Sequence, residues 1–237
     1  NRVYNTLMEI LLVRHGESEG NLPKGDVNKV DPQQNGDYCL NLTPLGRTQA
    51  ENEGREIGAD FIRDALIYRS PYYRTRQTLD GIIQGAGIKS EDELVIYEDP
   101  RLREVEHGFY QTTKDVKNQK DIMRKEHGYF YYRYKGGESP ADCFDRVATF
   151  LESMRRQMER KDKDKVLIIS HGLTIRCFVM RFLHLTVENF EMLAQLKKLN
   201  PTIHDEIVNA IIKQYDEYET NVSKYRVARK ALIQALH

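Results

Sequence analysis

EILLVRHGESEGN, residues 9–21, joins in one line a buried strand and the reactive residues that leave it. Ile10-Leu11-Leu12-Val13 is a short, unbroken apolar run, the pattern of a strand covered on both faces, and it stops at Arg14-His15-Gly16. The same grammar returns at residues 166–172, where Val166-Leu167-Ile168-Ile169 runs into Ser170-His171-Gly172. Ligands of open α/β sheets bind beyond the carboxyl ends of the strands. If the two runs are parallel neighbours, both imidazoles therefore face one crevice.

Working outward, residues 21–42 are rich in Asn, Asp, Gly, Pro and Lys without periodicity and read as a long loop. Thr43-Pro44 predicts an N-cap with proline at the first helical position, opening a helix toward Phe61. Leu66-Ile67-Tyr68 is a short strand that ends at Arg69-Ser70-Pro71, and Tyr72 to Ile83 continues as a helix carrying Arg74 and Arg76. Leu94 to Tyr97 is a further strand, followed by the charged stretch Arg101 to Gly108. From Phe109 to Tyr134 the chain turns polar, then aromatic, and is expected to make a partly helical excursion over the site. The tyrosines at 129–134 are read as core ahead of substrate contact.

Ser139-Pro140-Ala141-Asp142 combines a cap, a first-turn proline and a capping-box acid, with Phe144, Val147, Ala148, Leu151 and Met154 following at helical spacing. Leu173 to Leu185 is a mostly apolar helix. Strands alternating with helices predict an α/β fold of three layers, a mostly parallel sheet flanked by helices, over residues 8–194. Residues 195–237 read as a helical extension, with one stripe through Ile203, Ile207, Ala210, Ile211, Tyr215 and Tyr218 and another through Tyr225, Ala228, Leu232 and Leu236.

The totals narrow the partners. Thirty-six basic residues balance thirty-six acidic ones, so the overall field gives no reason to expect nucleic acid or an anionic membrane. Cys39, Cys143 and Cys177 form no CxxC pair, and no run of eighteen apolar residues occurs. Residues 1–7 carry neither a basic nor an apolar leader region. A cytoplasmic protein is expected.

Arg14, His15, Arg74, Glu104 and His171 each lie at or just past a strand end or in the loop after one. Two guanidinium forks can bind a dianionic phosphoryl group, one imidazole can attack phosphorus, and the other can donate a hydrogen bond. A carboxylic acid, Glu104 or Glu106, can protonate the leaving oxygen. Arginine stabilisation of the equatorial oxygens removes the need for a metal. No two of the seven histidines fall within four positions of each other, so no helical metal motif is present. His107, His127, His184, His204 and His237 are assigned to the surface or to packing, and Arg76 to a solvated helix face.

These segments resemble the histidine phosphatase superfamily, in its phosphoglycerate mutase-like branch. LLVRHGESEGN is similar to the family's opening signature, SPYYRTRQT to its second-arginine motif, LRE to its acid motif, GGES to a later loop and VLIISHG to its second-histidine motif. GYFYYRYKGGESPADCFDRV and SHGLTIRCFVMRFLHLTVENFE also resemble segments of broad-range acid phosphatases of yeast and phosphoglycerate mutase-like proteins of plants. The resemblance implies His15 as the phosphorylated nucleophile. It places Arg14, Asn21, Arg74 and His171 around the phosphoryl group and selects Glu104 over Glu106 as the proton donor.

It also implies a small phosphorylated substrate and neither cofactor nor metal. The tryptophan-bearing continuation of true mutases is missing, and the chain has no tryptophan, which favours phosphatase over mutase. The alternatives are a phosphoglycerate or bisphosphate mutase and a catalytically silent phosphate-binding scaffold that acts through its tail. Relatives continue with strands that complete the sheet, so a helical tail departs from the family. It is left as an unusual ending, a protein-partner element or a dimer contact.

Overall fold

The computed structural model describes residues 8–23, 25–31, 36–89, 94–108, 122–196 and 225–227. Its centre is a sheet of β1 (Met8–Arg14), β2 (Leu66–Arg69), β3 (Val95–Glu98), β4 (Lys165–Ser170) and β5 (Tyr225–Val227), in the order β3-β2-β4-β1-β5. Every neighbouring pair is parallel. β1 and β4 run side by side with Arg14 opposite Ser170, so His15 and His171 leave the sheet in step.

The two apolar runs are unbroken because both faces are covered. On one face, Ile10, Leu12, Leu66, Tyr68, Val166 and Ile168 pack with Cys143, Val147, Phe150 and Met154 of α4 (Pro140–Lys161) and with Ile175 and Phe178 of α5 (Gly172–Phe182). On the other, Val13, Ile67, Leu167 and Ile169 meet Ile62 of α2 (Ala59–Asp64) and Leu79, Ile82 and Ile83 of α3 (Tyr73–Gly85). Period-two alternation divides each strand between two cores, which gives the three layers.

α1 (Pro44–Ile57) starts as expected, with Thr43 Oγ1 accepting from the Gly46 N–H at 3.1 Å. The helix expected to run on to Phe61 is broken at Gly58, whose φ of 83° lies in the left-handed region open to glycine. α1 lies close on α3, where a Cβ on Gly54 would collide with the Ile82 carbonyl. In α4 the expected capping box is present, with Ser139 N–H donating to Asp142 Oδ2 at 2.8 Å. α6 (Val187–Leu196) follows α5.

Phe130, Tyr132 and Tyr134 are buried, in keeping with their reading as core, whereas Tyr131 is exposed. The excursion is helical at 122–127, and residues 109–121 lie outside the described residues.

One expectation is corrected. The tail is not helical throughout, because Tyr225–Val227 forms β5 beside β1, with Met8 opposite Tyr225 and Ile10 opposite Val227. The free edge of β1 presents unpaired N–H and C=O groups, and a parallel strand satisfies them as an isolated helical stripe cannot. The stripe from Ile203 to Tyr218 lies outside the described residues. Among the described residues, no helix is long and apolar enough to cross a membrane.

Candidate active site

His15 is the first residue past β1, anchored by its N–H to the Ser170 carbonyl at 3.0 Å. Its Nδ1 lies 2.7 Å from the Gly16 carbonyl, an acceptor only, so Nδ1 carries the proton and Nε2 the lone pair. Arg74 Nε donates to that lone pair at 3.2 Å. Burial, then the charge on Arg74, hold the imidazole pKa down at about 3, against the opposing pull of the Gly16 hydrogen bond. Gly16 itself is clamped: its N–H donates to Thr78 Oγ1 at 3.1 Å, and a Cβ there would collide with the Gly46 carbonyl.

His171 is fully buried at the start of α5. Its ring sits 5.2 Å from that of His15 at 61° and 4.9 Å from that of Tyr72. Nε2 meets Ser70 Oγ at 2.8 Å, and Nδ1 has no hydrogen-bond partner among the described atoms. Burial, with the charge on Arg74 next, holds its pKa well below the usual histidine value. Arg14 Nε is also buried without a hydrogen-bond partner. Two buried nitrogens thus stand without a partner on residues that neighbour His15.

Both histidines are neutral in the fold and titrate near the ordinary value of about 6.5 once unfolded. Below that pH the unfolded chain binds more protons, so stability falls as pH drops through the window from 6.5 toward about 3. For His15 alone this amounts to about 2 kcal/mol between pH 7 and pH 5. Denaturant unfolding at the two pH values checks this, and His15→Ala should show the smaller drop. Equal drops in both proteins would contradict the buried neutral state.

Arg74, on the first turn of α3, is only 4% exposed. Asp37 takes it in a two-pronged pair, Nη1 to Oδ1 and Nη2 to Oδ2 both at 3.1 Å, and the Asp37 carbonyl accepts from Nη1 at 2.5 Å. The Tyr72 ring lies 4.8 Å from the guanidinium carbon.

Glu104 follows the 3-10 turn Pro100–Leu102 after β3. That segment is drawn across the end of β4 because Ser170 Oγ donates to the Leu102 carbonyl at 2.8 Å and Thr174 Oγ1 to the Arg103 carbonyl at 2.7 Å. Glu104 Oε1 accepts from the Val105 N–H at 2.9 Å. Asn21 Oδ1 accepts from Ser18 N–H and Oγ at 3.1 and 2.8 Å, which leaves its amide nitrogen as the donating end.

Arg14, His15, Asn21, Arg74 and Glu104 line one cavity of about 650 Å³. His171 is not among the residues lining it, and its ring packs edge-on against that of His15. The wall also holds Asp37, Tyr38, Tyr72, Glu106 and His107. His107, assigned by sequence to the surface or to packing, is corrected to the cavity wall, with its ring 5.0 Å from that of Tyr134. Crossing backbones shape this side, because a Cβ on Gly137 would collide with the Glu106 carbonyl and one on Gly108 with that of Lys135.

Tyr72 sits two residues before Arg74 in the same motif, a signal that could have been read. Asp37 had none, since the loop around it shows no periodicity. Arg76 forms a surface pair with Glu98, both bonds 2.9 Å, outside the cavity. Among the described residues, no three His, Cys, Asp or Glu side chains are placed to share a metal ion.

A family model described as histidine phosphatase superfamily (branch 1) matches residues 10–203. The chain is 35% identical over 201 residues to a phosphoglycerate mutase-like protein of Arabidopsis thaliana, covering 78% of this chain and 69% of that one. A second plant protein of the same description is 36% identical over 196 residues, covering 77% of this chain and 60% of that one. The broad-range acid phosphatase of Saccharomyces cerevisiae is 24% identical over 315 residues, covering 90% and 92% of the two chains. A mycobacterial glucosyl-3-phosphoglycerate phosphatase shares the fold, with a TM-score of 0.58 at 23% identity over 78% of this chain and 83% of that one.

Proposed function

Because this chain belongs to the histidine phosphatase superfamily, branch 1, we propose that it hydrolyses small phosphomonoesters without a metal, through a phosphohistidine on His15. One observation carries the reading: the Nε2 lone pair of a neutral, buried His15 stands beside Arg74, in a cavity that Arg14 and Glu104 also line. Burial keeps the nucleophile deprotonated, and the arginines give phosphate a reason to enter a low-dielectric site.

The incoming phosphoryl group takes the place of the Asp37 carboxylate on Arg74. Nε2 attacks phosphorus as the P–O ester bond breaks, and the departing oxygen keeps the bonding pair and takes a proton from Glu104. The Gly16 carbonyl steadies the positive character that the ring gains through Nδ1–H. Water then attacks phosphorus and gives its proton to the Glu104 carboxylate. The P–N pair returns to Nε2, and inorganic phosphate leaves.

All these groups lie within residues 8–194, to which we assign the chemistry, while the extension adds β5. Three free thiols suit a reducing compartment such as the cytosol.

The test is a radiolabelled phosphomonoester, turned over in chelator and quenched in alkaline denaturant. The expected result is undiminished phosphate release and a chain-bound label that survives base and is lost in acid. Turnover that disappears in chelator and returns with added metal would overturn the reading. Transfer of the label to phosphoglycerate in preference to water would favour the mutase.

A further inference from the structure

We infer that Ser70 sets the tautomer of His171, making its Nδ1–H a donor to the phosphoryl group; the inference rests on the phosphohistidine reading above. Ser70 follows β2 and is fully buried. Its N–H donates to the Ile169 carbonyl at 3.0 Å, and its own carbonyl accepts from Thr75 Oγ1 at 2.8 Å, so its backbone is pinned on both sides. Two groups reach its hydroxyl: the Tyr72 N–H at 3.4 Å and His171 Nε2 at 2.8 Å.

The amide of Tyr72 can only donate, so it occupies a lone pair of Ser70 Oγ. The contact with His171 then has two forms. In one, the serine hydroxyl donates to Nε2 and the imidazole proton sits on Nδ1. In the other, Nε2–H donates to Oγ, and the serine proton is left without an acceptor among the described residues. An unsatisfied hydroxyl at a fully buried position is costly, so the first form prevails.

That form explains the atom otherwise unaccounted for. His171 Nδ1 is buried and unpartnered, as is Arg14 Nε, and both belong to residues placed around His15. Two orphan donors next to a nucleophile lack an anionic oxygen, which the phosphoryl group supplies. In the other form Nδ1 would turn a lone pair toward the same anion and repel it. Ser70 therefore decides whether His171 attracts or opposes the transition state, and Ser70 and Arg74 arrive on one turn. Ser70 is a positioning residue that acts through His171.

Nitrogen-15 NMR of histidine-labelled protein reads the tautomer directly. In the native chain the His171 Nδ1 should carry the proton and shift when inorganic phosphate is added. Ser70→Ala should lose that single tautomer and lower kcat by about tenfold to a hundredfold, with KM changed less and the His15 signature unmoved. Ser70→Thr, which keeps the hydroxyl, should restore both. A native His171 protonated on Nε2, or a Ser70→Ala protein that keeps the tautomer and kcat, would overturn the inference. The NMR arm needs no turnover, so failure of the phosphatase reading would be seen separately.

Discussion

His15→Ala is expected to abolish turnover of an aryl phosphate, with kcat lower by on the order of ten-thousandfold or more, while inorganic phosphate should still bind. The asymmetry follows from the geometry. Arg14, Arg74, Asn21 and His171 belong to other parts of the cavity and its support, so the anion keeps its donors when the imidazole goes. What disappears is the nitrogen lone pair on which the proposed first half-reaction runs. The measurement is kcat beside the inhibition constant of phosphate, both in chelator. A variant that keeps turnover within tenfold of native would remove His15 from the mechanism. One that loses phosphate binding as well would show a collapsed site and call for His15→Asn as the control.

Glu104→Gln should separate substrates by their leaving groups. An alkyl phosphate departs as a strongly basic alkoxide and needs the proton, so its kcat should fall by about a hundredfold to ten-thousandfold. A nitrophenyl phosphate needs little help to leave, so formation of the phosphoenzyme should proceed. Without a base for the attacking water, the label should then accumulate on the chain, visible as a burst followed by slow release. The structure supports this double role because Glu104 lines the cavity within electrostatic reach of Arg14. Its Oε1 is held by the Val105 N–H and, at 3.4 Å, by Thr174 Oγ1, bonds that orient the carboxyl without consuming its second oxygen. Equal losses for both substrates with no accumulation would reject Glu104 and turn attention to Glu106, which lines the same cavity.

The groups in these experiments were legible in the sequence to different degrees. His15 and His171 stood out because each follows a four-residue apolar run, the length and pattern of a strand buried on both faces. The α4 boundary was legible for a similar reason, since Ser139, Pro140 and Asp142 satisfy orphan backbone groups locally. Glu104 was less so, because its approach depends on Ser170 and Thr174 gripping carbonyls of another segment. Asp37 and His107 were missed as wall residues. Each lies in a stretch whose conformation answers to distant partners: Asp37 to Arg74, and the His107 strip to the Gly136-Gly137 crossing.

The tail shows the same division. Tyr225 fits a helical stripe as well as a strand, and the open edge of β1 decides between them. The amino-acid sequence by itself determined strands β1 to β4, the helix starts and the α/β class. All of these follow from near-neighbour periodicity and capping. Tertiary structure alone decided that β1 and β4 are adjacent, that Ser70 meets His171, and that Asp37 occupies Arg74. Each depends on which distant backbone groups find one another once the apolar faces are buried, and no local pattern encodes that pairing.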